Sequence, residues 1–138
     1  MSILIPIDGS SASLNAVRHA IALGAAAGAE LHLLNVQPKI RGTASAFVGS
    51  DAIKAMHREE GMKVLQPALD LVAKAGLKAQ FHIGVGDVGE TVAGFVKSLS
   101  CRQVVMGTRG LGGVAGLVLG SAVSDIVEQV DVPVTLVK

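Results

Sequence analysis

The chain has 138 residues, a formal net charge of +1 and an apolar content of 50%, but only 2% aromatics: three Phe and no Trp or Tyr. One globular domain spanning residues 1–138, with a core of aliphatic side chains, accounts for that length and composition. The near-neutral charge and lack of a basic run exclude a broad electrostatic face for nucleic acid. The lone Cys101 excludes an internal disulfide, and no apolar stretch approaches the roughly 18–20 residues that span a bilayer. No signal peptide precedes the first apolar run, so the expected location is cytoplasmic, away from any membrane.

Ile3 to Ile7 is a continuous apolar run, read as a buried strand. Asp8-Gly9-Ser10-Ser11 follows as a turn with a helix N-cap, and Leu14, Val17 and Ile21 continue at helical spacing. Gly24, Ala25 and Gly28 would let that helix sit close on a sheet. Leu31 to Val36 is a second strand, and the weakly periodic segment from Gln37 to Ser50 reads as a loop. Asp51 to about Ala75 predicts a helix that Pro67 should kink or split. Leu77 to Val85 is a third strand. Asp87 then opens a helix, with Glu90 placed as in a capping box and a one-sided stripe of Val88, Val92, Phe95, Val96 and Leu99. Gln103 to Met106 is the fourth strand, Ser121 to Val130 the last helix and Val132 to Val137 the last strand. Strands and helices alternate, and several strands are near-continuous apolar runs, which predicts an α/β domain: a mostly parallel five-stranded sheet with helices on both faces.

The segment between the fourth strand and the last helix carries the chemistry. Gly107 and Gly110 are separated by two residues, and nine more lead to Gly120-Ser121. Glycines let backbone approach a ligand closely, and the first amides of a helix point free N–H groups at an anion, so a glycine-rich strand-to-helix turn suits phosphate. Ser121 reads as an N-cap, a role compatible with phosphate binding because both use the same amides. Asp8 reads as a turn residue or, at the end of the first strand, as a contact for a ribose hydroxyl or an adenine amine. Arg109 is the one charge within the glycine segment and reads equally as a solvated cation or as a partner for a β- or γ-phosphate. Lys39 and Arg41 are weaker candidates for that role. Cys101 has no histidine or aspartate motif beside it and reads as structural. His19, His32, His57 and His82 lack metal-ligand spacing. His32 and His82 lie on different strands that could bring them together, although surface solvation is the expectation for both.

With this glycine spacing, the Pro-Ile-Asp-Gly-Ser exit of the first strand, the Val-Val-Met-Gly-Thr-Arg-Gly exit of the fourth and the closing Val-Pro-Val, the whole chain resembles the ATP-binding branch of the universal stress protein family. The resemblance implies a doubly wound sheet of strand order 3-2-1-4-5, with ligand in the crevice between strands one and four. It places adenine and ribose contacts on Pro6, Ile7, Asp8, Val36 and Met106. Phosphate contacts fall on Gly107, Gly110, Gly120, Ser121 and the amide of Ala122, with ATP and Mg²⁺ as the implied ligand. It further implies a role in stress resistance, and a homodimer through the strand at residues 132–137. Arg102, Ser124 and Val114-Ala115-Gly116 depart from residues common in the family.

Neither a Walker lysine nor an assembly of nucleophile, base and orienter is visible, so the expectation is a regulatory protein that binds ATP with little or no turnover. The alternatives are a slow ATPase or self-phosphorylating protein, with Ser121 or Thr108 as acceptor, and a nucleotide-free interaction module. A response-regulator receiver would need an acidic cluster after the first strand, where only Asp8 stands.

Overall fold

The computed structural model describes residues 1–40, 49–109 and 119–138. In chain order it contains β1 (Ser2–Pro6), α1 (Ser11–Ala27), β2 (Glu30–Gln37), α2 (Ser50–Lys74), β3 (Ala79–Val85), α3 (Val88–Ser98), β4 (Gln103–Gly107), α4 (Ser121–Gln129) and β5 (Val134–Val137). The five strands form one sheet of order β3-β2-β1-β4-β5, with every pairing parallel. The expected α/β architecture and strand order are both present.

Alternation along the strands divides the core in two. Ile3, Ile5, Leu31, Leu33 and Val105 face α1 and α2, meeting Ala16, Val17, Leu65, Ala68 and Val72. Leu4, Leu34, Val104 and Met106 face the opposite side, meeting Val92 and Val96 of α3 and Val123 and Ile126 of α4. Successive side chains point to opposite faces of a strand, so a run apolar at every position needs a helical layer on each side. Close packing relies on missing side chains: a Cβ on Gly61 of α2 would stand 2.7 Å from Ile83 Cδ1.

Three local readings change. Helix α2 runs unbroken through Pro67. Pro67 and Lys63, whose carbonyl loses its helical partner, are both exposed, so water can satisfy that carbonyl. Asp87 is the N-cap of α3, but its side chain makes no capping bond. The amide of Gly89 instead donates to Asp125 Oδ2 of α4 at 3.2 Å, so a carboxylate from the neighbouring helix does the cap's work. Ser121 is the first residue of α4 and the cap position belongs to Gly120.

His32 and His82, expected at the solvated surface, meet beneath α3. His32 is 3% exposed. Its Nδ1 lies 3.0 Å from His82 Nε2 and its Nε2 lies 3.2 Å from Glu30 Oε1. With Glu30 as the acceptor, His82 donates to His32 and His32 donates to Glu30. Gln80 Nε2 also donates to Glu30, and His82 stacks obliquely on Phe95. Burial, and after it the neighbouring His32, lowers the His82 pKa from 6.5. The unfolded chain therefore binds a proton at His82 that the native state refuses, and stability contributed above about pH 6.5 is lost as the pH falls toward the lowered native value. Thermal unfolding between pH 7.5 and 5 should show this loss, and His82→Gln should flatten the profile below pH 6.5. An unchanged profile in that variant would assign the acid sensitivity to other groups.

Candidate functional site

Strand order reverses at β1. Its chain successor β2 lies on one side and β4 on the other, so the helices after β1 and β4 leave on opposite faces and a crevice opens at the carboxyl ends of these strands. The residues of this crevice come from the β1–α1 turn, the β4 exit and the start of α4.

The β1–α1 turn is held by its own polar groups. Asp8 is exposed, and its Oδ1 accepts the amide of Ser10 at 2.9 Å. Between them Gly9 adopts a φ of 88°, which a side chain would strain. Ser10 Oγ accepts the amide of Ser13, capping α1, and donates to the carbonyl of Arg109 at 3.2 Å. One hydroxyl thus ties the β1 exit to the β4 exit. Ile7 is buried, its amide bonded to Leu34 of β2 and its carbonyl to Asn35 Nδ2. Gln37 in turn donates to Asn35 Oδ1. Ser10 and Asn35 were not among the candidates. A buried asparagine within an apolar strand was the available signal, since a buried amide needs hydrogen-bond partners.

Gly107 carries a packing demand at the β4 exit. A Cβ there would lie 2.7 Å from the carbonyl carbon of Ala12, 2.8 Å from its Cβ and 2.9 Å from the amide of Ser13. The first turn of α1 rests against the bare backbone of β4. Thr108 continues the strand by donating its amide to Val137 of β5, and its carbonyl accepts the amide of Gly120 at 3.3 Å. That bond sets the start of α4 beside the β4 exit.

Helix α4 opens without a side-chain cap. Its first bond inside the helix runs from Ser124 to the carbonyl of Gly120. The amides of Ser121, Ala122 and Val123 therefore have no helical acceptor, and Gly120 has no side chain to cover them. Ser121 and Ala122 are exposed. An uncapped helix start combines the partial positive charge of the dipole with free donors, which suits an anion. Beside it, a depression of about 420 Å³ lies between the starts of α3 and α4, lined by Asp87, Glu90 and Asp125 together with Ser121 and Ala122. These carboxylates repel an anion on that flank and leave the β1/β4 side as its approach.

Of the predicted site residues, Pro6, Ile7 and Asp8 line up along the β1 exit, Met106, Gly107 and Arg109 along the β4 exit, and Gly120, Ser121 and Ala122 at the start of α4. Val36 is half-buried on β2. The Met106 side chain is 5% exposed and belongs to the core under α3 and α4. Arg109 is exposed. Gly110, Arg41 and Val114-Ala115-Gly116 lie outside the described residues, as does most of the Gln37–Ser50 segment. Among the described residues no group of three or more His, Cys, Asp or Glu side chains could hold a metal ion, and no helix is long and apolar enough to cross a membrane. Cys101 is buried, and burial, followed by the charge of Glu30, raises its thiol pKa. A raised pKa makes it a poor nucleophile, in line with the structural reading.

Comparison with known proteins places this architecture. The full span of residues 1–138 matches the Universal stress protein family. The chain belongs to that family. Universal stress protein MJ0531 of Methanocaldococcus jannaschii is 30% identical over 142 aligned positions, which cover 99% of this chain and 81% of that protein. Among solved folds, the hypothetical protein MJ0577 superposes with a TM-score of 0.84 at 24% identity, covering 99% of this chain and 94% of the other. A universal stress protein from Archaeoglobus fulgidus was solved in complex with dAMP (TM-score 0.76, 18% identity, coverage 100% and 98%). Another universal stress protein was solved in complex with cAMP (TM-score 0.75, 23% identity, coverage 100% and 97%). These likenesses carry the universal stress protein fold across to this chain.

Proposed function

We propose that this universal stress protein binds an adenine nucleotide, ATP above others, in the β1/β4 crevice and acts through the bound state without appreciable turnover. The observation that carries the reading is the uncapped start of α4, pinned to the β4 exit by the Gly120–Thr108 bond. Phosphates would take the amides of Ser121 and Ala122, with Gly107, Gly110 and Gly120 giving backbone access. Asp8 uses Oδ1 for its own turn, leaving the other carboxylate oxygen to accept a ribose hydroxyl. Pro6, Ile7, Val36 and Met106 would form the apolar wall for the base, although Met106 can offer only an edge. The nucleotide complexes of the family's solved members support the ligand class. A Mg²⁺ ion would neutralise phosphate charge.

The chain's lack of Trp and Tyr makes the first test direct. Freshly purified protein should absorb near 260 nm in excess of its three Phe, and the denatured supernatant should elute with an adenine nucleotide on anion exchange. Titration calorimetry should then show Arg109→Ala weakening ATP by about tenfold, the value of one charge-assisted contact of about 1.4 kcal/mol, while AMP is unaffected. A flat spectrum together with no heat on addition of millimolar ATP and Mg²⁺ would leave the interaction-module reading in its place.

The same sample tests assembly. β5 is a sheet edge with Leu136 38% exposed and Val127 of the adjoining helix 50% exposed. Pairing of this edge with a second copy would cover both. Light scattering should give twice the chain mass, and a monomer at micromolar concentration would end the dimer proposal.

A further inference from the structure

The opposite edge of the sheet is built differently from β5. β3 is an outer strand of seven residues. The amide of Gly86 points inward to Gln37 of β2. Successive peptide groups point to opposite sides of a strand, so the N–H and C=O groups of Phe81, Ile83 and Val85 face the open edge, where no described strand pairs with them. Phe81 is 38% exposed and Val85 43% exposed. Helix α2 stands over the same face and forms a groove of about 420 Å³ with the strand, lined by Lys54, His57 and Arg58 from the helix and Phe81, Ile83 and Val85 from β3.

The lining is apolar on the strand side and cationic on the helix side. Among the described residues its two permanent charges make no ion pair: those present join Lys63 to Glu59 and Glu60, and His32 to Glu30. All eleven acidic residues of the chain lie within the described residues, and none lines this groove. An edge protected against indiscriminate pairing ordinarily carries charges or a proline on the strand itself. β3 carries neither, and its flanking charge sits on the helix, of one sign.

We propose that the β3 edge and the groove beneath α2 bind an extended, acidic segment of a partner protein, which adds to the sheet as a sixth strand. Main-chain bonds to Phe81, Ile83 and Val85 would hold it, alternate apolar side chains would enter the groove, and carboxylates would meet Lys54 and Arg58. A second copy of this chain fits less well, because pairing β3 with another β3 brings two sets of Lys54 and Arg58 to one seam.

The test is an NMR titration of the full-length protein with a blocked eight-residue peptide that alternates glutamate and valine, and with its lysine-for-glutamate counterpart. The acidic peptide should slow solvent exchange of the Phe81, Ile83 and Val85 amides at least fivefold and leave the inward amides of His82 and Gly84 unchanged. Lys54→Glu combined with Arg58→Glu should weaken the acidic peptide at least tenfold and admit the basic one. Phe81→Pro, which removes one outward donor at a position where an edge strand tolerates proline, should abolish binding of either. No protection, equal protection by both peptides, or protection of residues 134–137 instead would overturn the proposal. Protection that grows with protein concentration in the absence of peptide would overturn it in favour of self-association.

Discussion

Replacing Ser121 by glutamate is expected to lower ATP affinity by about 100-fold while leaving stability within about 0.5 kcal/mol of the parent. A carboxylate at the first position of α4 stands where the phosphates would meet the free amides. Two unit charges ~5 Å apart at an effective dielectric of ~20 repel by about 3 kcal/mol, and each factor of ten in affinity is about 1.4 kcal/mol. The same carboxylate interacts favourably with the helix dipole, by about 0.3–1 kcal/mol. It also faces Asp125 one turn later in α4, a like-charge pair that costs about as much as a favourable pair provides, roughly 0.2–0.5 kcal/mol. The two effects on the helix nearly cancel. Ser121→Ala is the companion variant. If the amide is the ligand contact and the hydroxyl is incidental, alanine should change affinity by no more than about threefold, or about 0.6 kcal/mol. Calorimetry for affinity and denaturant titration for stability measure both. Equal ATP binding by the glutamate variant would remove the start of α4 from the site.

The second large effect is on stability. Gly107→Ala should destabilise the fold by about 2–3 kcal/mol, within the usual range for overpacking, which corresponds to a melting temperature lower by roughly 10 °C. The added methyl would meet Ala12 and the Ser13 amide at 2.7–2.9 Å. These are mainly backbone atoms of a capped helix turn and cannot rotate aside. Gly94→Ala makes the same chemical change with the opposite expected sign. Gly94 lies inside α3, is exposed, and a Cβ there meets nothing within 4 Å. Alanine at such a position stabilises by about 0.5–1 kcal/mol through the unfolded chain's lost freedom. Differential scanning calorimetry of the two variants should move in opposite directions. A neutral Gly107→Ala would show that α1 can retreat from β4 without cost. Because Gly107 belongs both to this contact and to the proposed phosphate site, its nucleotide affinity should be read only from protein shown to be folded at the titration temperature.

Much of this architecture was legible in the order of residues. The apolar run at Ile3–Ile7 and the mainly apolar runs at Leu31–Val36 and Gln103–Met106 require cover on both faces, and the one-sided stripe of α3 requires a sheet beneath it. These patterns act over neighbouring residues, so the chain alone determines the alternating elements and the two-faced core. The glycine spacing after β4, with its family resemblance, pointed to the β4 exit as the side of the proposed nucleotide site.

Other features exist only after the chain closes on itself. The bond of Ser10 Oγ to Arg109 spans 99 positions, and the His32–His82 pair spans 50. No local pattern encodes either, because each depends on the parallel register that sets β1 beside β4 and β2 beside β3. The cap of α3 moved from Asp87 to Asp125 for the same reason: a neighbouring helix brought a carboxylate to the amide of Gly89. Pro67 failed to split α2 because tertiary packing buries the far side of that helix and leaves the proline side in water. Gly107 shows the division within one residue. Its place in a glycine pattern was evident from the sequence, but its contact with the first turn of α1 was decided by how a helix 95 positions earlier in the chain packs against the strand. Side-chain periodicity is a property of neighbours along the chain, whereas close approach, shared caps and paired histidines are properties of neighbours in space.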